Sequence, residues 1–271
     1  VETQVLGKAS LDSTTADFKT DLYSGKVNDV IYLKSNAAVC NANRFSQEQV
    51  RIRIESKLTG DVVVVSAIES AANSGVFQFS LKTEENSVKN LNDTVLQTLK
   101  RDDVTARLLD CVDAQGQITT PINDVATQIL IDPYGIVFDA KTQKPVAGAT
   151  VILVDENDQP VGNNVAFEVD RTTGALRSMP AKQVTSATGE FVYPRVIAGN
   201  YKFLVDTSSI SSRQYSFVSD QALYPIASFN GMAVNAEYSY GGVFSLTSTS
   251  PALNIDIPID PQLTQSSLVV Q

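Results

Sequence analysis

The stretch IDPYGIVFDAKTQKPVAGATVILVDENDQPVG, residues 131–162, decides what kind of fold this chain has. An apolar run enters a Pro-Tyr-Gly turn. A short strand over 136–139 follows and ends in a polar Lys-Thr-Gln-Lys turn. Pro145, Val146, Ala147, Gly148 and Ala149 then lead into another strand over 149–155, which ends in an acidic turn. β-Branched residues fill the strands, and Gly or Pro separates them. This is a sheet corner, and the rest of the chain repeats its grammar.

Outward from that corner, period-two and β-branched runs dominate, and helical spacing with a cap is scarce. Strands are predicted in the first half at 27–35, 49–56, 62–69, 76–82, 95–99, 106–111, 117–120 and 125–131. Those in the second half fall at 136–139, 149–155, 165–169, 182–185, 189–193, 200–206, 215–218, 242–248 and 253–259. Turn signals lie between them, such as Thr59-Gly60-Asp61, Asn73-Ser74-Gly75 and Thr188-Gly189. Many short strands with frequent turns predict an all-β chain of sandwich type. Asp132-Pro133 marks the boundary, because proline removes a backbone donor and restrains its neighbour. The predicted division is 1–131 and 132–271, with an insertion at about 207–250. A second Ile-Asp-Pro closes the strand before Pro261, which hints at tandem modules.

Composition narrows the chemistry. The 271 residues are 43% apolar, enough for two cored domains, and carry a net charge of −9. An acidic chain lacks the basic stripe of a nucleic-acid surface, so no nucleic-acid partner is expected. The apolar run 62–68 is too short to span a bilayer, so no membrane insertion is expected. With no initiator methionine and no leader pattern, the chain reads as a mature secreted protein or a piece of a larger one. It has no histidine and two cysteines. That removes Ser-His-Asp and Cys-His nucleophiles, His-ligated metals and four-Cys zinc sites. Cys40 and Cys111 are left as one disulfide or two buried thiols.

The second half resembles transthyretin-like, carboxypeptidase-regulatory-type domains and the B-type repeats of bacterial adhesins. The residues that carry this are Gly135-Ile136-Val137-Phe138-Asp139, Pro145 to Val151, Thr188-Gly189-Glu190-Phe191 and Ala198-Gly199-Asn200-Tyr201. Gly135 and Gly148 would allow tight reversals, and Phe191 and Tyr201 would pack inward. The first half is similar to a bacterial Ig-like repeat, through Asp29 to Leu33, Thr59-Gly60-Asp61, Glu69, Ser74 to Phe77 and Leu81. Together these resemblances imply tandem Ig-like and transthyretin-like β-sandwich modules. They place the two cysteines at neighbouring strand ends and so imply a Cys40–Cys111 disulfide. They also imply a non-enzymatic structural or adhesive role on a bacterial surface: stalk, spacer, filament or adhesin segment. The expected partners are neighbouring modules of the same or an identical chain, and a surface glycan or protein. The alternative is a carbohydrate- or protein-binding accessory module of a larger secreted enzyme.

Residues with chemical potential are few. Asp102-Asp103 and Asp110/Asp113 are the carboxylate pairs that a glycosidase would need, though solvated turns use the same residues. Asp155, Asn157 and Asp158 form an acidic turn that offers calcium oxygen ligands, but Gln159-Pro160 breaks the EF-hand pattern. No other cofactor is expected. An adhesin-type Lys–Asn amide would draw on Lys141 or Lys144 with Glu190 and Asn254. The stretch 213–244 is rich in aromatics, and Tyr215, Tyr224, Tyr238 and Tyr240 form its candidate binding surface. The competing reading is that they cover a sheet face.

Overall fold

A computed structural model of the chain describes residues 9–90, 93–113, 115–131, 134–210, 214–217, 225–247 and 255–262. The fold is all-β. The chain divides into two compact units: Val1–Pro133 with Val169–Leu176, and Tyr134–Glu168 with Arg177–Gln271.

The first unit contains β1 (Ser10–Thr14), β2 (Ser24–Gly25), β3 (Val30–Asn36), β4 (Gln49–Ser56), β5 (Val62–Glu69), β6 (Val76–Glu85), β7 (Val95–Thr98), β8 (Asp103–Val112), β9 (Ile118–Pro121) and β10 (Ala126–Ile131). Hydrogen bonds link them in the order β1-β3-β6-β5-β4-β8-β10-β2, with β7 on β6 and β9 on β8. β6 follows β3 from Val76 to Lys82 but meets β5 only opposite Ile68 and Glu69. That brief contact is the corner where the sheet folds over. One layer holds β1, β3, β6 and β7; the other holds β5, β4, β8, β10 and β2. The alternation of β4 and β5 explains the packing. Val50, Ile52, Ile54, Val63, Val65 and Ala67 point inward and join Ile31, Leu33, Phe77, Leu81, Val104, Ala106 and Ile129 in one core. The intervening Arg51, Arg53, Val64 and Ile68 face out. β1 pairs with β3 of its own unit and buries Leu11.

The second unit contains β11 (Gly135–Asp139), β12 (Thr150–Val154), β13 (Ala166–Val169) and β14 (Leu176–Ser178) apart from Val169 and Leu176, then β15 (Lys182–Val184), β16 (Glu190–Phe191), β17 (Arg195–Val196), β18 (Gly199–Asp206), β19 (Tyr215–Ser216), β20 (Ser228–Phe229), β21 (Met232–Ala233), β22 (Phe244–Leu246) and β23 (Ile257–Pro261). Two four-stranded sheets, β16-β11-β23-β19 and β15-β12-β18-β22, enclose the main core. β11 and β23 pair in parallel and are buried along their whole length. One face of β11 sends Val137 into the main core. The other sends Ile136 and Phe138 under Phe229 and Val234 of the predicted insertion. Phe138 and Phe229 stack with ring centroids 4.1 Å apart.

Gly135 departs from the expected role. Its backbone is not left-handed; a Cβ there would lie 2.3 Å from the Ile255 carbonyl oxygen and from the Phe191 ring. It is glycine because strand and ring leave no room. Gly148 does make a left-handed reversal, with φ 80°.

Candidate functional site

Cys40 ends a short 3₁₀ turn, Ala38–Cys40, and Cys111 lies near the end of β8. Their sulfurs are bonded, with Cα atoms 5.1 Å apart and a sequence separation of 71. Both are buried. Beside Cys111, Asp110 accepts two hydrogen bonds from Arg51 on β4, from Nε at 2.7 Å and from Nη2 at 2.6 Å. That hydrogen-bonded carboxylate holds the Arg51 guanidinium above its usual pKa. A bridge and a bidentate pair thus fasten the first unit at one end.

Glu48 and Glu69 lie at the same end, and both are buried. Glu48 Oε1 accepts from the N–H of Ala42 at 2.8 Å and of Asn43 at 2.5 Å. Glu69 Oε1 accepts from the Gly75 N–H at 2.7 Å. In this loop, between β3 and β4, Phe45 stands 79% exposed, with the Arg44 guanidinium carbon 4.6 Å from its ring centroid.

The two candidate glycosidase pairs, Asp102-Asp103 and Asp110/Asp113, lie at opposite ends of β8, about 26 Å apart at roughly 3.3 Å per residue, so they do not form one cluster. Within each pair the carboxylates are engaged in local contacts. Asp102 is fully buried and accepts from Thr98 Oγ1 at 2.7 Å, from the Leu58 N–H at 3.0 Å and from the Ser56 hydroxyl. Burial raises the pKa of its neighbour Asp103, and Lys57 partly offsets this. Asp113 closes a turn by accepting the N–H groups of Gln115 and Gln117.

In the acidic turn, Asp155 Oδ1 accepts from the N–H groups of Asn157 at 2.8 Å and Gln159 at 3.0 Å. Asp158 Oδ1 takes a hydrogen bond from Lys202 Nζ at 2.8 Å. Lys141 and Lys144 are exposed and Glu190 is half-buried. Asn254 lies outside the described residues.

Tyr224 also lies outside the described residues. Tyr215, Tyr238 and Tyr240 are half-buried rather than displayed. Tyr215 packs against the main core, and its hydroxyl donates to Asp139 Oδ2 at 3.2 Å. The Tyr238 ring meets Phe244 edge-on, with centroids 6.3 Å apart. Tyr240 packs with Phe138 and Phe229, and burial, helped by Asp260, pushes its phenol upward. The inner phenol Tyr193 is pushed far up by burial; its hydroxyl donates to the Ala181 carbonyl at 2.6 Å.

No family model matches the chain, and no curated protein does. Solved structures do match. The chain is similar to BcpA, the major pilin subunit of Bacillus cereus, at 10% identity and a TM-score of 0.24, over 94% of this chain and 71% of that one. It is similar to the group B streptococcus pilus 2b backbone protein at 11% identity and a TM-score of 0.30, over 94% and 98%. The D295N mutant of the shaft pilin SpaA from Lactobacillus rhamnosus GG matches at 11% identity and a TM-score of 0.26, over 80% and 93%. Scores this low carry no argument about the present chain.

Two features escaped the sequence reading. One is the Glu48–Glu69 pair, since Glu48 sits in a polar stretch that reads as solvated loop. The other is the outer edge of β5. The bonds from Ser56 N–H to the Asp61 carbonyl and from Glu69 N–H to the Glu48 carbonyl fix which residues bond to β4. By alternation, the backbone groups of Val62, Val64 and Ser66 point the other way. Among the described residues no strand pairs with that side of 62–67. Val64 and Ile68 are each 52% exposed. The tetravaline run was the available signal.

Proposed function

We propose that the chain is a non-enzymatic structural segment of a bacterial cell-surface or secreted protein, an Ig-like unit followed by a transthyretin-like one. It serves as a stalk, spacer or filament element and works in series with neighbouring modules. The observation that carries this reading is the use to which the buried acids are put. Asp102, Asp139, Glu48 and Glu69 each accept at least one backbone N–H of a turn or loop. Such bonds hold a shape rather than present these acids to a substrate. The disulfide and the Arg51–Asp110 pair add to the same end. No helix among the described residues is long and apolar enough to cross a membrane.

A second reading, an accessory module that binds glycan or protein, is favoured by Phe45, a large ring exposed on a loop beside a rigid bridge. Binding to a glycan array, together with turnover of a panel of glycosides and esters, separates the two. The structural reading expects no specific glycan and no turnover. A glycan hit abolished by Phe45→Ala establishes the second reading, and turnover abolished by Asp102→Asn refutes both.

A further inference from the structure

The loop 41–48, with sequence Asn-Ala-Asn-Arg-Phe-Ser-Gln-Glu, connects the bridged Cys40 to β4. Three of its side-chain oxygens are buried and have no hydrogen-bond partner: Asn41 Oδ1, Ser46 Oγ and Glu48 Oε2. Glu48 itself is 3% exposed. The loop folds around this carboxylate, because Glu48 Oε1 takes the N–H groups of Ala42 and Asn43 while Ser46 N–H reaches the Asn43 carbonyl at 3.3 Å. Behind it stands Glu69, 1% exposed, whose Oε2 lies 3.4 Å from the Glu48 backbone nitrogen. The Asn41 amide nitrogen donates to Asn73 Oδ1 at 3.2 Å and so ties the loop to the turn after β5.

Glu69 Oε2 thus faces the Glu48 backbone, and neither buried glutamate has an ion pair among the described residues. A buried carboxylate oxygen left without a donor is costly unless a cation or other partner meets it. Three acceptors without donors in one short loop point the same way, since a cation uses the lone pairs that no N–H reaches. No group of three His, Cys, Asp or Glu side chains suited to a metal occurs among the described residues. The donor set here is mixed: carboxylate, amide and hydroxyl. All of it is oxygen, which selects a hard cation and excludes a thiolate or imidazole metal site. Irregular loop oxygens suit calcium better than magnesium, which demands a regular octahedron and releases its water reluctantly.

We propose that Asn41 Oδ1, Ser46 Oγ and Glu48 Oε2, with the charge of Glu69 behind them, form a calcium site that locks the 41–48 loop beside the disulfide. The site follows from the first unit alone. Only its purpose, stiffening one end of a load-bearing segment, rests on the structural reading. Calcium would add a third fastener to the bridge and the Arg51–Asp110 pair.

The test uses the full chain, oxidised and stripped of metal. Calcium chloride is titrated in by isothermal calorimetry, and thermal melts are recorded in calcium and in magnesium. The expected result is one saturable site per chain with Kd of about 10⁻⁴ M, in the range of extracellular calcium modules. At a hundred times Kd the folding equilibrium rises about a hundredfold, and magnesium does far less. Glu48→Gln keeps an acceptor for Ala42 and Asn43 but weakens calcium binding at least tenfold. Should that variant fail to fold, Ser46→Ala supplies the same readout from a less buried position. No heat and no shift of the melt up to about 10 mM calcium would mean that water alone satisfies these oxygens, and would overturn the site. Binding that survives Glu48→Gln and Ser46→Ala but is lost in Asp155→Asn would overturn it too, by moving the ion to the other acidic turn. None of these outcomes bears on the glycan and turnover assays, so this inference and the structural reading fail separately.

Discussion

Removal of the Cys40–Cys111 bridge has an effect whose size follows from the structure. The bond closes a loop of 71 residues. In the chain-entropy account, opening it returns about 15 cal/mol/K to the unfolded chain, or about 4.4 kcal/mol at 25 °C. Both cysteines are buried, so alanine is the suitable replacement; serine would bury two hydroxyls. Urea unfolding of the double variant Cys40→Ala/Cys111→Ala, and of the natural chain with reductant, provides the measurement. With an m-value of about 2 kcal/mol/M, the first unit's midpoint falls by about 2 M. Hydrogen exchange followed by mass spectrometry localises the loss. Peptides from β4, β5 and β8 lose protection, whereas peptides from β11, β12 and β18 keep theirs. A midpoint shift under about 0.5 M would show that the unfolded loop is already constrained or that the bridge strains the fold. Equal loss of protection in both units would refute the assignment of the bridge's effect to the first.

Three further outcomes are expected. Phe229→Ala removes a ring that is 1% exposed and stacked on Phe138; it should cost about 3–5 kcal/mol and expose β11 and β20 to exchange while β12 and β18 stay protected. For pH, burial raises the Tyr193 phenol in the folded state above its unfolded value near 10. The folded chain then holds a proton that the unfolded chain releases. The stability this group gives is complete below pH 10 and is lost as pH climbs beyond it, by up to about 1.4 kcal/mol per pH unit. Tyr193→Phe should flatten that alkaline slope in denaturant titrations. A third outcome concerns the open edge of β5. Val64→Lys places a charge on its exposed face and should delay heat-induced aggregation in light scattering, with little change in the melting temperature. Unaltered aggregation would show that the edge is not the sticking surface.

The strands 49–56 and 62–69 were legible to the residue, because an alternating run and a β-branched run bracket the Thr59-Gly60-Asp61 turn. The strand expected at 95–99 is β7, Val95–Thr98, which pairs in parallel with β6. The two-residue strands β2 and β17 were not legible, being too short to show a period. Nor was the parallel union of β11 with β23, whose partners lie about 120 residues apart and meet only through the whole topology. The insertion was visible as an aromatic run, but its orientation was not. Only the structure shows that Phe229 covers Phe138 and that Tyr240 faces the same cluster. Glu48 illustrates the general difficulty. A glutamate in a polar loop is usually solvated; this one is buried with its own loop folded onto its carboxylate, and its backbone N–H is met by Glu69 from the far end of β5.

In the proposed structural role, the chain would carry load through a first unit short-circuited by its own disulfide. Pulling single molecules from both termini tests it most directly. With the bridge intact, unfolding of the first unit should release about 240 Å less chain than after reduction, because 71 residues at roughly 3.4 Å each stay locked. Equal extensions in oxidised and reduced chains, or a chain that stretches smoothly without a rupture, would contradict the account.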